Sequence, residues 1–271
     1  MLKADLHIHS TFSDGSDAVG EIVNKAVEKG LDVIAVVDHD TMAHAAHIPA
    51  DAGIRAMAGI EISAVHRETG TRAHILGYDI KKVERVTALT QPLLEARNKN
   101  SERQAGILME AGYSIDLDRI KRADGKYLYK VHIVDWLLST GQIADMFGEF
   151  YQKTFGQGGI CASKIEYIDV FEAVRAIKEA GGLAVLAHPG QQRNFFLIPS
   201  LAEAGLAGLE LNHYANSAGD RETISENADR YGLFMTGGSD YHGKYGRQPY
   251  GIGDILCHNS GVDGILKRKS I

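Results

Sequence analysis

The chain has 271 residues, 44% of them hydrophobic and 24% charged, with a formal net charge of −6. That suffices for one large core, or one core carrying an inserted subdomain. The acidic balance argues against an extended nucleic-acid surface, which needs a basic footprint, while single arginines or lysines can still hold one phosphate.

The first strand runs up to Leu6 and ends on His7-Ile8-His9, with Asp14 close behind. Residues i and i+2 of a strand share a face, so this pair can grip one ion. Val19, Ile22, Val23, Ala26 and Val27 then recur at helical spacing, and Gly30 closes that helix. A strand at 33–37 leads to Asp38-His39-Asp40, an apolar run at 55–60 precedes Glu61, and another at 73–75 surrounds His74. From 83 to about 160 no comparable strand occurs. Leu89, Leu93, Leu94, Ile107 and Leu108 fit one long helix, and Ile133, Val134, Leu137 and Leu138 fit another. Segment 81–164 therefore reads as a helical insertion, and 1–80 with 165–271 as the domain that receives it. The alternation resumes with a helix at 170–180 and a strand at 183–187 before His188-Pro189. A strand at 205–211, a helix at 224–231 and a strand at 233–236 follow, before Asp240-Tyr241-His242 repeats the i, i+2 pair. Such alternation predicts parallel strands, and ligands after successive parallel strands converge on the mouth of a barrel.

A lone histidine at a strand end is ordinarily packing or surface. Here imidazoles and carboxylates recur beside one apolar run after another, and buried polar groups must be paired or bound to metal. Asp38 and Asp40 fit two readings equally, orienting His39 or shaping the turn that carries it. His44, His47, His66 and His258 read as solvated. Gly156-Gln157-Gly158-Gly159 lacks the strand and lysine of a phosphate loop, and Ser239 lacks a nucleophile elbow and reads as a turn residue. Cys161 and Cys257 cannot support a disulfide framework and read as inert thiols. No apolar stretch approaches the roughly 20 residues of a membrane span, so no membrane association is expected and a cytoplasmic location is.

The motifs taken together resemble the PHP (polymerase and histidinol phosphatase) family of metal-dependent phosphoesterases. They are Asp5-Leu6-His7-Ile8-His9-Ser10, Ser13-Asp14-Gly15, Asp38-His39-Asp40-Thr41, Gly59-Ile60-Glu61-Ile62-Ser63, His74-Ile75-Leu76-Gly77-Tyr78, Ala187-His188-Pro189-Gly190 and Gly238-Ser239-Asp240-Tyr241-His242. The resemblance is to its 3',5'-nucleoside bisphosphate phosphatase and cyclic phosphate hydrolase group. It implies an α/β fold, a distorted (β/α)7 barrel with a helical cap over its mouth. It implies two or three divalent ions: one on His7, His9, Glu61 and Asp240, one on Glu61, His74 and His188, one on Asp14, His39 and His242. Mixed imidazole and carboxylate ligands suit manganese, zinc or iron rather than calcium. Glu61 would bridge two ions, which can turn a shared water into hydroxide and clamp the phosphate oxygens.

Several phosphate-reading positions depart from the family pattern. Lys130-Val131-His132 stands where relatives place arginine and histidine, Gln191 follows the AHPG motif with Arg193 nearest, and Asn212-His213 is displaced. Lysine is a point charge where arginine is a fork. The implied roles are nevertheless Glu61, Asp240 and His213 in catalysis, and Lys130, His132 and Arg193 at the substrate phosphate. The implied reaction is hydrolysis of phosphate monoesters of small metabolites, nucleotides or ribose phosphates. Opening of a cyclic phosphodiester at the same site is the alternative. A non-catalytic metal-binding regulatory domain is a reading of another class, opposed by the full set of ligand positions.

Overall fold

The structure is a computed structural model describing residues 2–120, 127–162 and 165–267. Nine strands form two sheets among these residues. In the first, β1 (Ala4–Ile8), β2 (Val33–Val36) and β3 (Arg55–Ala58) lie parallel. The second has the order β6-β4-β5-β7-β8-β9, with β4 (Ile60–His66), β5 (Thr71–Tyr78), β6 (Ile168–Asp169), β7 (Leu183–Leu186), β8 (Gly208–Asn212) and β9 (Phe234–Gly237).

This order is not the continuous parallel ring that the alternation predicts. β5 runs antiparallel to both β4 and β7. The cause is local: only residues 67–70 separate β4 from β5, and Gly70 takes φ +70° with its N–H bonded to His66 C=O. A link this short makes a hairpin, since a parallel return needs a dozen or more residues. The apolar run at 55–60 also breaks at Gly59, so β3 and β4 fall in different sheets and Glu61 is the second residue of β4, not a strand terminus. The sheets meet through parallel bridges at His39–Glu61 and Ile8–Tyr241. Both bridges lie beside the metal-ligand motifs.

Between the sheets sits an apolar layer. Val33, Ala35 and Val37 face Leu76, Tyr78, Val185 and Ala187, while Ile34 and Val36 face outward onto α1 (Val19–Glu28). Burial on both faces is the mark of a covered parallel strand. α1 presents Val19, Ile22, Val23 and Ala26 inward, whereas Val27 is exposed. On the outer face of the second sheet, Ile62, Ile75, Leu186 and Leu209 pack against helices that include α5 (Val170–Glu179) and α8 (Ala218–Tyr231). Each fully buried side chain of this size contributes about 1.5–3 kcal/mol. Asp169 starts α5 by accepting the N–H groups of Phe171 and Glu172 at 3.0 and 3.4 Å.

The middle of the chain is helical, as expected, with α2 (Val83–Glu110), α3 (Lys130–Ser139) and α4 (Glu149–Phe155). Ala105, Leu108, Ile133, Val134, Leu137 and Phe155 form a core of their own. Val86 and Leu93, in the first half of α2, belong instead to the core of the second sheet. One helix therefore serves both cores. The expected end of the insertion at 164 lies outside the described residues. No described helix is long and apolar enough to cross a membrane.

Candidate metal centre

At one end of the two sheets the chain gathers every candidate metal ligand that the sequence singles out. Glu61, 1% exposed, stands at their middle. Its Oε2 lies 3.3 Å from His7 Nε2, 3.2 Å from His9 Nε2 and 3.3 Å from His39 Nδ1. Its Oε1 lies 2.8 Å from His74 Nδ1 and 3.0 Å from His188 Nε2. The two oxygens of one carboxylate thus face two different sets of imidazoles. Asp240 Oδ1 approaches His7 and His9 at 3.3 and 3.4 Å, and Asp14 Oδ1 lies 3.4 Å from His242 Nε2.

Three ligand groups have donor atoms lying within 4.8 Å of one another: His7, His9, Glu61 and Asp240; His39, Glu61 and His74; His9, Asp14, His39 and His242. The first is the set the family resemblance implies. The other two share His39 and His9 beyond the implied sets, and His188 joins through Glu61 Oε1.

The hairpin explains how an antiparallel strand still supplies a ligand. His74 lies inside β5 opposite Ser63 of β4, so the ladder carries it beside Glu61. The remaining positions need unusual backbone. His188, Asp240 and Asp40 adopt φ of 26°, 52° and 61°. Each left-handed residue costs on the order of 1–3 kcal/mol, a strain that clusters at functional sites. Gly238 is required by close approach, since a Cβ there would lie 2.4 Å from His7 N.

Buried partners fix the faces of several imidazoles. His7 Nδ1 lies 2.8 Å from Glu210 Oε1, so it donates there and leaves Nε2 with a lone pair toward the cluster. His242 Nδ1 likewise donates to the Asp240 carbonyl at 2.8 Å, leaving Nε2 toward Asp14. His213 Nδ1 accepts from Ala215 N at 3.1 Å, which places its proton on Nε2, 3.2 Å from Asp240 Oδ2. Asp5 receives Ser239 N and Ser239 Oγ at 3.0 and 2.6 Å, holding the turn that presents Asp240; burial pushes its carboxyl up to about 6. Glu210 carries no motif signal beyond its place on a strand, and Asp5 stands in the first motif without a role assigned to it.

Asp38 and His44 form a further support. Asp38 accepts from Ser10 N, Ser10 Oγ and Ser13 Oγ, and lies 2.9 Å from His44 Nδ1. His44 is fully buried, contrary to the solvated reading of the sequence, because the turn after β2 folds it under Asp38. His47 is exposed, and His66 and His258 are half-buried. Asp40 pairs with Arg97 of α2 at 2.7 Å, and Tyr129 donates its hydroxyl to the His39 carbonyl at 3.0 Å. Both aspartates beside His39 therefore orient the backbone that carries it.

With no cation included, the electrostatics are those of compressed opposite charges. Burial disfavours charge throughout. Glu210, Glu61 and Asp240 nevertheless raise His7, the close carboxylates of Asp240 and Glu61 push His9 up to about 10, and neighbouring imidazoles hold Glu61, Asp240 and Asp14 well below the carboxylate range. Burial instead lowers His39 to about 4. His7 Nε2, His9 Nε2, His39 Nδ1 and Asp14 Oδ1 are buried without a hydrogen-bond partner. Buried polar atoms left unpaired are costly, and convergent nitrogen and carboxylate donors suit divalent metal ions, so the residues present fit such a group.

The predicted phosphate readers are not brought together. The cluster lines a cavity of about 200 Å³ with Tyr151, Tyr214, Tyr245 and Arg247. Lys130 lines a neighbouring cavity with Arg72, Arg97 and Tyr167, sharing Asp14, Val131 and Tyr151 with the first; its ammonium sits 5.4 and 5.2 Å from the Tyr151 and Phe155 ring centres. His132 is buried at the start of α3 and lines a third cavity. Arg193 is 80% exposed and turned to Asp220 at 3.6 Å, because its left-handed backbone at the end of α6 (Pro189–Gln192) points it outward. Arg247 was missed; a single arginine in a loop carries no pattern.

Fold and site are those of a metal-dependent phosphoesterase, and comparison with known proteins agrees. The PHP domain matches residues 5–107. The phosphoribosyl 1,2-cyclic phosphate 1,2-diphosphodiesterase of Eggerthella lenta is 42% identical over 91% of this chain and 96% of its own. The 3',5'-nucleoside bisphosphate phosphatase of Chromobacterium violaceum is 31% identical over 89% and 88%. A solved structure from Bifidobacterium adolescentis, assigned as a metal-dependent phosphoesterase, superposes with a TM-score of 0.87 at 28% identity, covering 99% and 96%. The chain belongs to the PHP-domain family. Its reaction class is hydrolysis of phosphoric ester bonds.

Proposed function

We propose that the protein hydrolyses phosphate esters of small metabolites, nucleotides or ribose phosphates, using two or three divalent cations held by His7, His9, Asp14, His39, Glu61, His74, His188, Asp240 and His242. The observation that carries this reading is the division of Glu61, whose two oxygens face separate imidazole sets. When bound, the cations supply positive charge against phosphate oxygens and acidify water. Manganese, zinc and iron all suit the donors.

The chain's own residues divide the remaining work. Glu61 keeps both halves of the ligand set in register from the start of β4. Glu210 orients His7 by accepting its Nδ1 proton, and with Oε2 it accepts His188 N at 2.8 Å. His213 directs its Nε2 proton at Asp240, fixing which carboxylate oxygen faces His7 and His9. Tyr151 and Tyr245 narrow the cavity and restrict water. Lys130, Arg72 and Arg97 give its side arm a positive field that attracts a phosphorylated ligand. The two sheets, bridged at the ligand ends, read as the two parts of a distorted barrel, with α3 and α4 as its cap.

A second reading, opening of a cyclic phosphodiester followed by phosphate release, is favoured by the 42% identity to a cyclic phosphate diphosphodiesterase. Phosphate release with manganese on mononucleotides, 3',5'-bisphosphates, sugar phosphates and cyclic phosphates tests both. Turnover of monoesters alone supports the first, turnover of cyclic esters the second, and none at all with full metal content overturns both.

A further inference from the structure

We infer that Arg97 and Tyr129, both contributed by the helical middle of the chain, are positioning residues for His39, so that the cations His39 holds bind tightly only while those two contacts stand. This rests on the cation reading above and goes beyond the ligand motifs, none of which contains either residue. Of the three groups of candidate ligands, two contain His39, and the third, made of His7, His9, Glu61 and Asp240, does not. The third group is supported from the strands and the turns after them: Glu210 holds His7, and Asp5 holds the turn of Asp240 through Ser239. His39 is held differently. Among the described residues its Nδ1 is buried without a hydrogen-bond partner, so the ring is placed through the backbone that carries it.

That backbone is gripped from two sides. On one, Asp38 ties it to Ser10, Ser13 and His44. On the other, Asp40 has no exposed side-chain surface, takes a left-handed φ of 61° and accepts Ser63 N at 2.7 Å. A residue in that conformation persists only where its surroundings determine it. Arg97 Nη2 supplies the hold, donating to Asp40 Oδ2 at 2.7 Å and to Ser63 Oγ at 2.9 Å. Tyr129, 3% exposed, donates its hydroxyl to the His39 carbonyl at 3.0 Å. The Arg97 guanidinium carbon lies 5.5 Å from the Tyr129 ring centre, within cation–π range, so the two contacts support each other. One charged and one neutral donor thus reach from α2 and from the residue before α3 to adjoining positions of a single turn. Losing supports of this kind weakens a metal site by about 10- to 100-fold.

The test titrates metal-free protein with manganese, reading stepwise affinities by calorimetry and bound ions by loss of the free-ion electron paramagnetic resonance signal. H39A marks the steps that depend on His39. R97A should weaken those same steps by about 10- to 100-fold and leave the others within about threefold. R97K keeps the charge without the fork and should recover part of the loss. Y129F removes one hydrogen bond and should weaken the same steps by about 2- to 10-fold. Because R97A leaves Asp40 buried without its counter-charge, D40N/R97A is measured beside it and should show the same selective loss, with a melting temperature closer to that of the wild type. Metal binding is the readout because Arg97 also lines the side arm, where turnover would mix two effects. Unchanged affinities in R97A and Y129F, a loss spread evenly over all steps, or an R97K no better than R97A overturns the assignment and leaves the cation reading standing. A wild type that takes up no manganese, or an H39A that takes it up as the wild type does, overturns the reading of His39 as a ligand as well.

Discussion

His7 Nδ1 lies 2.8 Å from Glu210 Oε1, and neither residue has any exposed surface. The contact settles which nitrogen of His7 faces the cluster, because a carboxylate accepts and cannot donate. Glu210→Gln keeps the shape but removes the charge and one of the two accepting oxygens, so either His7 Nδ1 or His188 N loses its partner. Metal affinity should fall about 10- to 100-fold, the usual effect of losing such a support. Titration of the metal-free variant with manganese, beside circular dichroism to confirm the fold, measures it.

Glu61→Gln should be more severe. An amide offers one oxygen where the carboxylate offers two, and it brings an NH2 group against imidazoles that must accept nothing from it. Turnover should drop below about a tenth of the wild-type rate, more than 1.4 kcal/mol of barrier, together with loss of bound metal. A variant that retained full metal content and rate would show that Glu61 does not join the two halves of the set.

Metal uptake should release protons. Without a cation, the close carboxylates of Asp240 and Glu61 push His9 up to about 10 against the effect of its burial. At neutral pH it is charged, and a cation must displace that proton. Apparent metal affinity should therefore rise with pH up to about 10 and fall as the solution is acidified. Calorimetry in two buffers of different ionisation enthalpy counts the protons.

The pair of Asp38 and His44 predicts an acid limit. Burial alone would raise the Asp38 carboxyl, but the His44 imidazole and the Ser10 hydroxyl bring it down to about 2. A carboxyl depressed below its unfolded value of about 3.9 stabilises the fold fully above that pH. The contribution is lost as pH falls through the range from 4 to 2. His44→Ala should cost about 1–3 kcal/mol at pH 7, since Asp38 stays buried with a partner missing. It should also shift acid unfolding to higher pH. Urea melts at several pH values give both numbers.

Lys130→Ala and Arg193→Ala should separate. Lys130 lines the side arm that shares Asp14 with the cluster, and its removal should lower kcat/KM by about 1–3 kcal/mol with metal content intact. Arg193 is directed to solvent and Asp220, so its removal should leave kcat/KM within about twofold.

The clustering of the candidate ligands was legible because each carries a chemical label, and histidine and carboxylate beside apolar runs have few other uses. The helical character of the middle of the chain was legible from the lapse of strand-like runs. Strand direction was harder. Arg67-Glu68-Thr69-Gly70 is the turn that reverses β5, and its shortness was readable, but the alternation on either side masked it. His44 looked like a surface histidine because only the tertiary fold brings it under Asp38. Glu210 lies in an ordinary strand, and its role depends on which side chain its neighbour across the site presents. Arg193 shows the limit of counting positions: two residues of offset, at a left-handed turn, reversed its direction.

The pairing of β4 with β5 has a consequence for how the protein reaches its native form. Glu61 and His74 sit on one ladder, where Ser63 opposes His74 and Glu61 opposes Leu76. A slip of one residue would turn His74 to the opposite side of the sheet. Two adjoining strands joined by a short turn can try such misalignments early, before the long-range strands arrive. A cation that binds only the correct alignment lowers its free energy by mass action and leaves the slipped forms where they were. A metal held there would proofread the hairpin, and refolding in its presence should yield fewer misaligned molecules than refolding in chelator.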